Sequence, residues 1–116
     1  MNPQIKQKWV DALRSGEYQQ TQRRLHDENG FCCLGVLCDL YRKENQLEWE
    51  PSTHSKNAYV FQDTMAVLPL SVIEWSDIAD NNPLVNYEPG EICTLADLND
   101  KGSTFNEIAD LIEKQL

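Results

Sequence analysis

The chain has 116 residues, a hydrophobic fraction of 41% and a formal net charge of −9, which suits one domain around a single core and excludes a disordered chain. No apolar run approaches the roughly 20 residues that span a bilayer, so no membrane partner is expected. Met1 to Trp9 is polar and lacks the apolar segment of a secretory signal, which predicts a soluble protein of the cytoplasm.

Asn2-Pro3 opens a first helix, with Asn as cap and Pro at the first helical position. Ile5, Trp9, Ala12 and Leu13 form its apolar stripe, and Ser15-Gly16 stops it. Glu17 to Leu25 is polar, with β-compatible Tyr18 and Thr21. Asn29-Gly30 is a strong turn signal. It predicts a hairpin with one arm at Gln22 to Leu25 and the other beginning at Phe31. Leu34, Leu37, Cys38 and Tyr41 then recur at helical spacing, predicting a largely buried helix over Cys33 to Glu44. Gly35 inside it costs about 1 kcal/mol relative to Ala, which points to close approach of another backbone.

Gln46 to Asn57 reads as loop, anchored by Trp49, with Pro51 barring a central strand. Ala58 to Val67 reads as a strand, against which the polar pair Gln62-Asp63 counts. A short helix carries Val72, Ile73 and Trp75; Asp80 to Pro83 is a turn, and Leu84 to Tyr87 a brief strand. Thr94 caps a turn of helix over Leu95 to Leu98, with Asp97 at the capping-box position. Asn99 to Gly102 is a tight connector. Thr104 and Glu107 form a capping box for a last helix whose stripe is Phe105, Ile108, Ala109, Ile112 and Leu116. The expected fold is α+β: one domain over residues 1–116, about four helices with a short antiparallel sheet or hairpin.

The charge is unevenly placed. Residues 1–58 hold eight basic and eight acidic side chains; residues 59–116 hold eleven acids against Lys101 and Lys114. The whole excess lies in the second half, and a surface of that sign repels nucleic-acid phosphates, so no direct nucleic-acid partner is expected. Cys32, Cys33 and Cys38 fall among Phe, Leu and Val, where free cysteine packs as a small hydrophobe. Buried thiols in a reducing compartment are expected rather than disulfides.

No motif carries recognisable catalysis, and no catalytic residue is assigned. Cys32, Cys33, Cys38, Cys93, His26 and His54 are the only soft ligands, and they lack the paired spacing of a zinc site. No metal and no cofactor are expected. A Cys–His pair could arise from Cys32 and His26 across the hairpin, but Asp27 and Glu28 make His26 read as a surface turn residue. One cluster does suggest binding: Arg14, Tyr18, Gln20, Arg23 and Arg24. Guanidinium groups grip phosphate or carboxylate, and Tyr offers a stacking face. On a strand, Tyr18 and Gln20 would share a face that Gln22 and Arg24 continue. The plainer expectation is that these arginines pair with the chain's own carboxylates.

The succession Lys8-Trp9, Leu13-Arg14-Ser15-Gly16, Tyr18 and Gln20, then Gly30-Phe31-Cys32-Cys33-Leu34-Gly35-Val36-Leu37-Cys38-Asp39, resembles a family of small proteins encoded by bacteriophages and prophages. Leu68-Pro69, Trp75 and the closing Leu98-Asn99-Asp100-Lys101-Gly102, Thr104-Phe105 and Glu107-Ile108-Ala109-Asp110 are similar too. The resemblance covers almost the whole chain, least well in the 40s to 60s. It carries over no residue roles, because no activity is attached to that family. It implies a phage accessory protein in a bacterial cytoplasm, a class that often acts against host defences.

The leading expectation is therefore a stoichiometric inhibitor of a host system. In one form, acids of Asp77 to Asp100 and of the final helix face a basic partner, such as a nucleic-acid-binding enzyme whose substrate charge they imitate. In the other, Arg14, Tyr18, Gln20, Arg23 and Arg24 hold a small anionic nucleotide-type signal and sequester it. A thiol enzyme using Cys32 or Cys33 with His26, and an assembly protein that self-associates through the central helix as a homo-oligomer, are the remaining alternatives.

Overall fold

Caps placed by the sequence start most of the helices. A computed structural model describes residues 1–116 and contains five helices and six short strands. Helix α1 (Pro3–Arg14) begins where the Asn2 side chain accepts from the Gln4 and Ile5 N–H groups, at 2.9 and 3.1 Å. Its buried stripe is Ile5, Trp9, Val10 and Leu13. Helix α2 (Cys33–Asn45) is the buried centre, with every residue from Cys33 to Asp39 withdrawn from solvent. Helices α3 (Leu70–Ser76) and α4 (Leu95–Asp100) are short, and Thr94 caps α4 by accepting from the Asp97 N–H. Helix α5 (Phe105–Gln115) carries the full reciprocal box of Thr104 and Glu107. It buries Phe105, Ile108, Ala109 and Ile112, and its largest interface is with α1. Each of these larger side chains contributes about 1.5–3 kcal/mol by leaving water.

Strands β1 (His26–Asp27), β2 (Gly30–Phe31), β3 (Glu50–Pro51) and β4 (Ala58–Val60) form an antiparallel sheet in the order β2-β1-β4-β3. A separate hairpin pairs β5 (Leu84–Glu88) with β6 (Glu91–Thr94). The structure is thus α+β, as the element pattern predicts, with one core cluster drawing on all five helices.

Several elements differ from expectation. The first hairpin arm falls at His26–Asp27, not at Gln22 to Leu25, because the Asp27 carboxylate accepts from the Asn29 and Gly30 N–H groups and folds the turn tightly beneath it. The Leu25 N–H is taken instead by the Met65 carbonyl. The strand expected over Ala58 to Val67 ends at Val60. Gln62 and Asp63 both take left-handed backbone (φ 49° and 68°), and Phe61 and Thr64 exchange both backbone hydrogen bonds, so that polar pair is itself a tight turn. Within the expected loop, Glu50–Pro51 pairs as an edge strand, a position where the missing proline N–H costs nothing. Strand β6 was not foreseen.

Gly35 shows the close approach its position implies. A Cβ there would lie 1.8 Å from the Leu25 carbonyl oxygen, so α2 packs against the backbone that enters β1. A Cβ on Gly30 would similarly lie 2.2 Å from the Gln19 carbonyl oxygen.

Candidate functional site

The segment after α1 does not form a strand of the sheet, yet it lies alongside β2. The Phe31 N–H donates to the Gln19 carbonyl and the Thr21 N–H to the Phe31 carbonyl, both at 2.9 Å, a single parallel bridge centred on Gln20. This brings Arg14, Tyr18 and Gln20 to one shallow cleft of about 260 Å³, floored by Leu13 and Phe105. Arg23 lines a neighbouring cleft of about 400 Å³ with Gln22, Asp100 and Lys101, and Arg24 lines neither. The face proposed for Tyr18, Gln20, Gln22 and Arg24 is broken by Arg23. That residue turns left-handed (φ 72°) and donates its N–H to the Asp100 carboxylate at 2.8 Å.

Of the cluster, Arg14, Tyr18 and Gln20 are engaged within the fold. The Arg23 and Arg24 guanidinium groups have no carboxylate within 4.0 Å, so only Arg14 pairs with the chain's own acids as expected. Arg14 forks across α5, with Nη2 2.5 Å from Asp110 and Nη1 3.1 Å from Glu113. The hydrogen bonds to Glu113 and then Asp110 raise the guanidinium pKa further. Gln20 Nε2 donates to Asn99 Oδ1 at 2.9 Å and to the Ser103 carbonyl at 2.8 Å. Asn99 is fully buried; it also accepts from the Cys33 N–H and donates to the Thr21 carbonyl. One amide therefore ties the 18–21 segment, the start of α2 and the end of α4 together. Sequence reasoning gave Asn99 only the role of a connector.

Tyr18 points to a second polar centre, Asp39, which is 4% exposed. Asp39 accepts from the Tyr18 hydroxyl at 2.7 Å, Arg42 Nε at 2.6 Å and Trp49 Nε1 at 3.0 Å. Burial alone would raise its pKa, but the hydrogen bonds from Arg42, Trp49 and Tyr18 prevail and hold it below the ordinary carboxylate range. Burial and the nearby Asp39 charge push the Tyr18 phenol up. The signal in the sequence was a lone acid between Cys38 and Leu40 in an otherwise apolar run, which demands internal partners.

His26 is not the surface turn residue expected. Its ring lies parallel to Phe31, with centroids 3.8 Å apart, and stacks on Tyr59 at 4.5 Å, while Trp49 leans on the same group. Register explains the row, since Phe31, His26 and Tyr59 are direct neighbours across β2, β1 and β4. Its Nδ1 lies 2.8 Å from the Gly30 carbonyl oxygen.

The thiols Cys32, Cys33 and Cys38 are buried and free. Burial pushes Cys32 up to about 11 and raises Cys33 and Cys38 as well. A nucleophilic cysteine needs the opposite shift. The Cys32 sulfur instead accepts from the Gly35 N–H as the cap of α2.

The acids of the second half are arranged differently. All eleven, from Asp63 to Glu113, are exposed. Only Asp97, Asp110 and Glu113 have a cationic partner within 4.0 Å, which leaves eight without one. A third cleft, of about 320 Å³, lies on this side. It is lined by Tyr87, Glu91 and Cys93 from the second hairpin, Leu98, the Lys101–Ser103 connector and Glu107.

Fold and site together define a small α+β protein whose buried polar groups hold its segments in register and whose second half presents unpaired carboxylates to solvent. The chain belongs to the family described as "Domain of unknown function (DUF8296)", which matches residues 1–116. No curated protein and no solved structure matches it. No helix is long and apolar enough to cross a membrane.

Proposed function

We propose that this protein is a phage-type accessory protein that inhibits a bacterial host system by stoichiometric binding in the host cytoplasm, its acidic second half facing a basic partner protein. The observation that carries this reading is that all eleven acids of residues 59–116 are exposed, eight of them without a cationic partner. Clustered charge of one sign steers a partner of the other and sharpens selectivity. The test is capture of host protein by the immobilised chain at low salt, followed by stepwise elution. A specific partner should be held at about 50 mM salt and released well below about 500 mM. A triple change of Glu74, Glu88 and Glu91 to Lys, at exposed acids that make no side-chain hydrogen bond or ion pair, should weaken capture while leaving the melting temperature within a few degrees. A partner retained equally at both salt concentrations overturns the reading.

A second reading, sequestration of a small anionic nucleotide-type ligand, rests on the meeting of Arg14, Tyr18 and Gln20 in one cleft. Its weakness is that Arg14 already serves Asp110 and Glu113. Thermal-shift screening against cyclic and linear nucleotides decides it, because a ligand at about 100 times its Kd stabilises by roughly 2.7 kcal/mol. An unmoved transition at millimolar nucleotide removes this reading.

A further inference from the structure

The second sheet consists of β5 and β6 alone, so each strand has one edge without a strand beside it. Ladder alternation fixes which groups face outward. The Leu95 N–H donates to the Pro83 carbonyl, which makes Val85 and Cys93 the next bonded pair inside the hairpin. Asn86 and Ile92 then form a non-bonded pair whose N–H and C=O groups turn away from each other. On the β5 side these groups are taken. The Asn86 N–H donates to Gln115 Oε1, and the Asn86 carbonyl accepts from Gln115 Nε2, both at 2.8 Å. On the β6 side the N–H and carbonyl of Ile92 meet no other segment.

The surroundings of that open edge differ by face. Outward, Ile92 is 63% exposed, and Leu84, diagonal to it across the hairpin, is 60% exposed. Inward, the 320 Å³ cleft runs beside β6, with Tyr87, Cys93 and Leu98 as its apolar wall and Glu91 and Glu107 as its carboxylates. Neither glutamate has a cationic partner, and the cleft's one lysine, Lys101, is paired with Asp97.

We propose that the edge of β6 docks an extended segment of a basic partner protein, which pairs with Ile92 as a third strand and sets a Lys or Arg side chain in the adjoining cleft. This rests on the acidic-surface reading and names the contact within it. Main-chain pairing at an open edge supplies affinity, and pockets for alternate side chains supply selectivity. The aliphatic stem of the basic residue lies along Leu98 and Tyr87, and its charged head reaches Glu91 and Glu107. An apolar residue at an alternate position covers Ile92. Charge decides the occupant: a second copy of this chain would bring its own Glu88 and Glu91 against these carboxylates, an opposition that disfavours pairing.

The probe is a capped octapeptide of alternating valine and arginine, titrated into the ¹⁵N-labelled full chain. The amide signals of Glu91 to Thr94 and of Gly102 and Ser103 should move together, with the Ile92 N–H becoming protected from exchange. Affinity should fall roughly tenfold or more in the Glu91→Gln/Glu107→Gln variant and on raising salt from about 50 to about 500 mM. N-methylation of alternate peptide residues should abolish binding in one phase and spare it in the other, a control that leaves the protein unaltered. Shifts mapping elsewhere on the acidic half, with both methylated peptides still bound, overturn the edge proposal and leave the acidic-surface reading standing. Absence of peptide binding at millimolar concentration, with salt-sensitive capture intact, does the same. Loss of both overturns both. Ile92 signals that change with protein concentration alone assign the edge to a second copy and overturn the proposal.

Discussion

Tyr18, Arg42 and Trp49 reach Asp39 from three different parts of the chain, and each donates to it. The carboxylate is stable in its charged form only while those donors stay in place. Its pKa lies below the ordinary value in the folded protein, so folded and unfolded chains bind protons differently at acid pH. The sign follows directly. The stabilisation is fully present above the unfolded pKa of about 3.9 and is lost as pH falls through the lower folded value. Asp39→Asn should lower stability by roughly 3 kcal/mol at neutral pH, because it leaves partly buried donors facing a neutral amide. It should also flatten the acid limb of a urea-midpoint profile below about pH 4. An unchanged acid limb would mean that other carboxylates govern acid unfolding.

At the scale of single elements, the contact between α2 and the Leu25 backbone is the least forgiving. Gly35→Ala places a methyl group 1.8 Å from a carbonyl oxygen, and helix and strand must separate to admit it. The better helix propensity of Ala returns only about 1 kcal/mol. A net loss of about 3 kcal/mol or more is expected, read as a lowered urea midpoint. A midpoint at or above that of the unaltered chain would show that the backbones can move apart. Gly35 also shows what the sequence reveals: a glycine inside an apolar helical stripe signals contact without naming the partner. Caps at Asn2, Thr94 and Thr104 were legible for the same reason, since a cap is a local event between a side chain and N–H groups two or three residues on. The strands were legible only in part: the one at Leu84, the start of another at Ala58 and the hairpin turned at Asn29-Gly30 were, whereas β3, β6 and the pairings between distant strands were not. Those of the first sheet have two or three residues each, too few for alternation, and their pairing is set by distant partners such as Tyr59 for His26. The candidate site shared this limit. Arg14, Tyr18 and Gln20 line one cleft that Arg23 and Arg24 do not join, and the engagement of the first three by Asp110, Asp39 and Asn99 depends on residues 21 to 96 positions away.

Across the whole molecule, cohesion depends on a few polar side chains that each join several segments. Asn99 is the clearest, joining Gln20, Thr21 and Cys33 to α4. Asn99→Ala leaves the buried Cys33 N–H and Thr21 carbonyl without partners and should cost about 2–4 kcal/mol, measured by thermal or urea unfolding. If the loss is under about 0.5 kcal/mol, as for an ordinary surface change, the joint is dispensable. The same distribution of labour separates the two halves of the chain: the buried acids Asp27 and Asp39 hold structure, whereas the acids after residue 58 stay in water. Gln115 adds a consequence of a different kind. Its amide occupies the outer side of β5 as a neighbouring strand would, so the small hairpin can be lengthened sideways in one direction only. Sheets open on both flanks can polymerise without end. A sheet closed on one flank offers copies of this chain only the other, and two such edges that pair use each other up, so the copies cannot stack edge to edge without end.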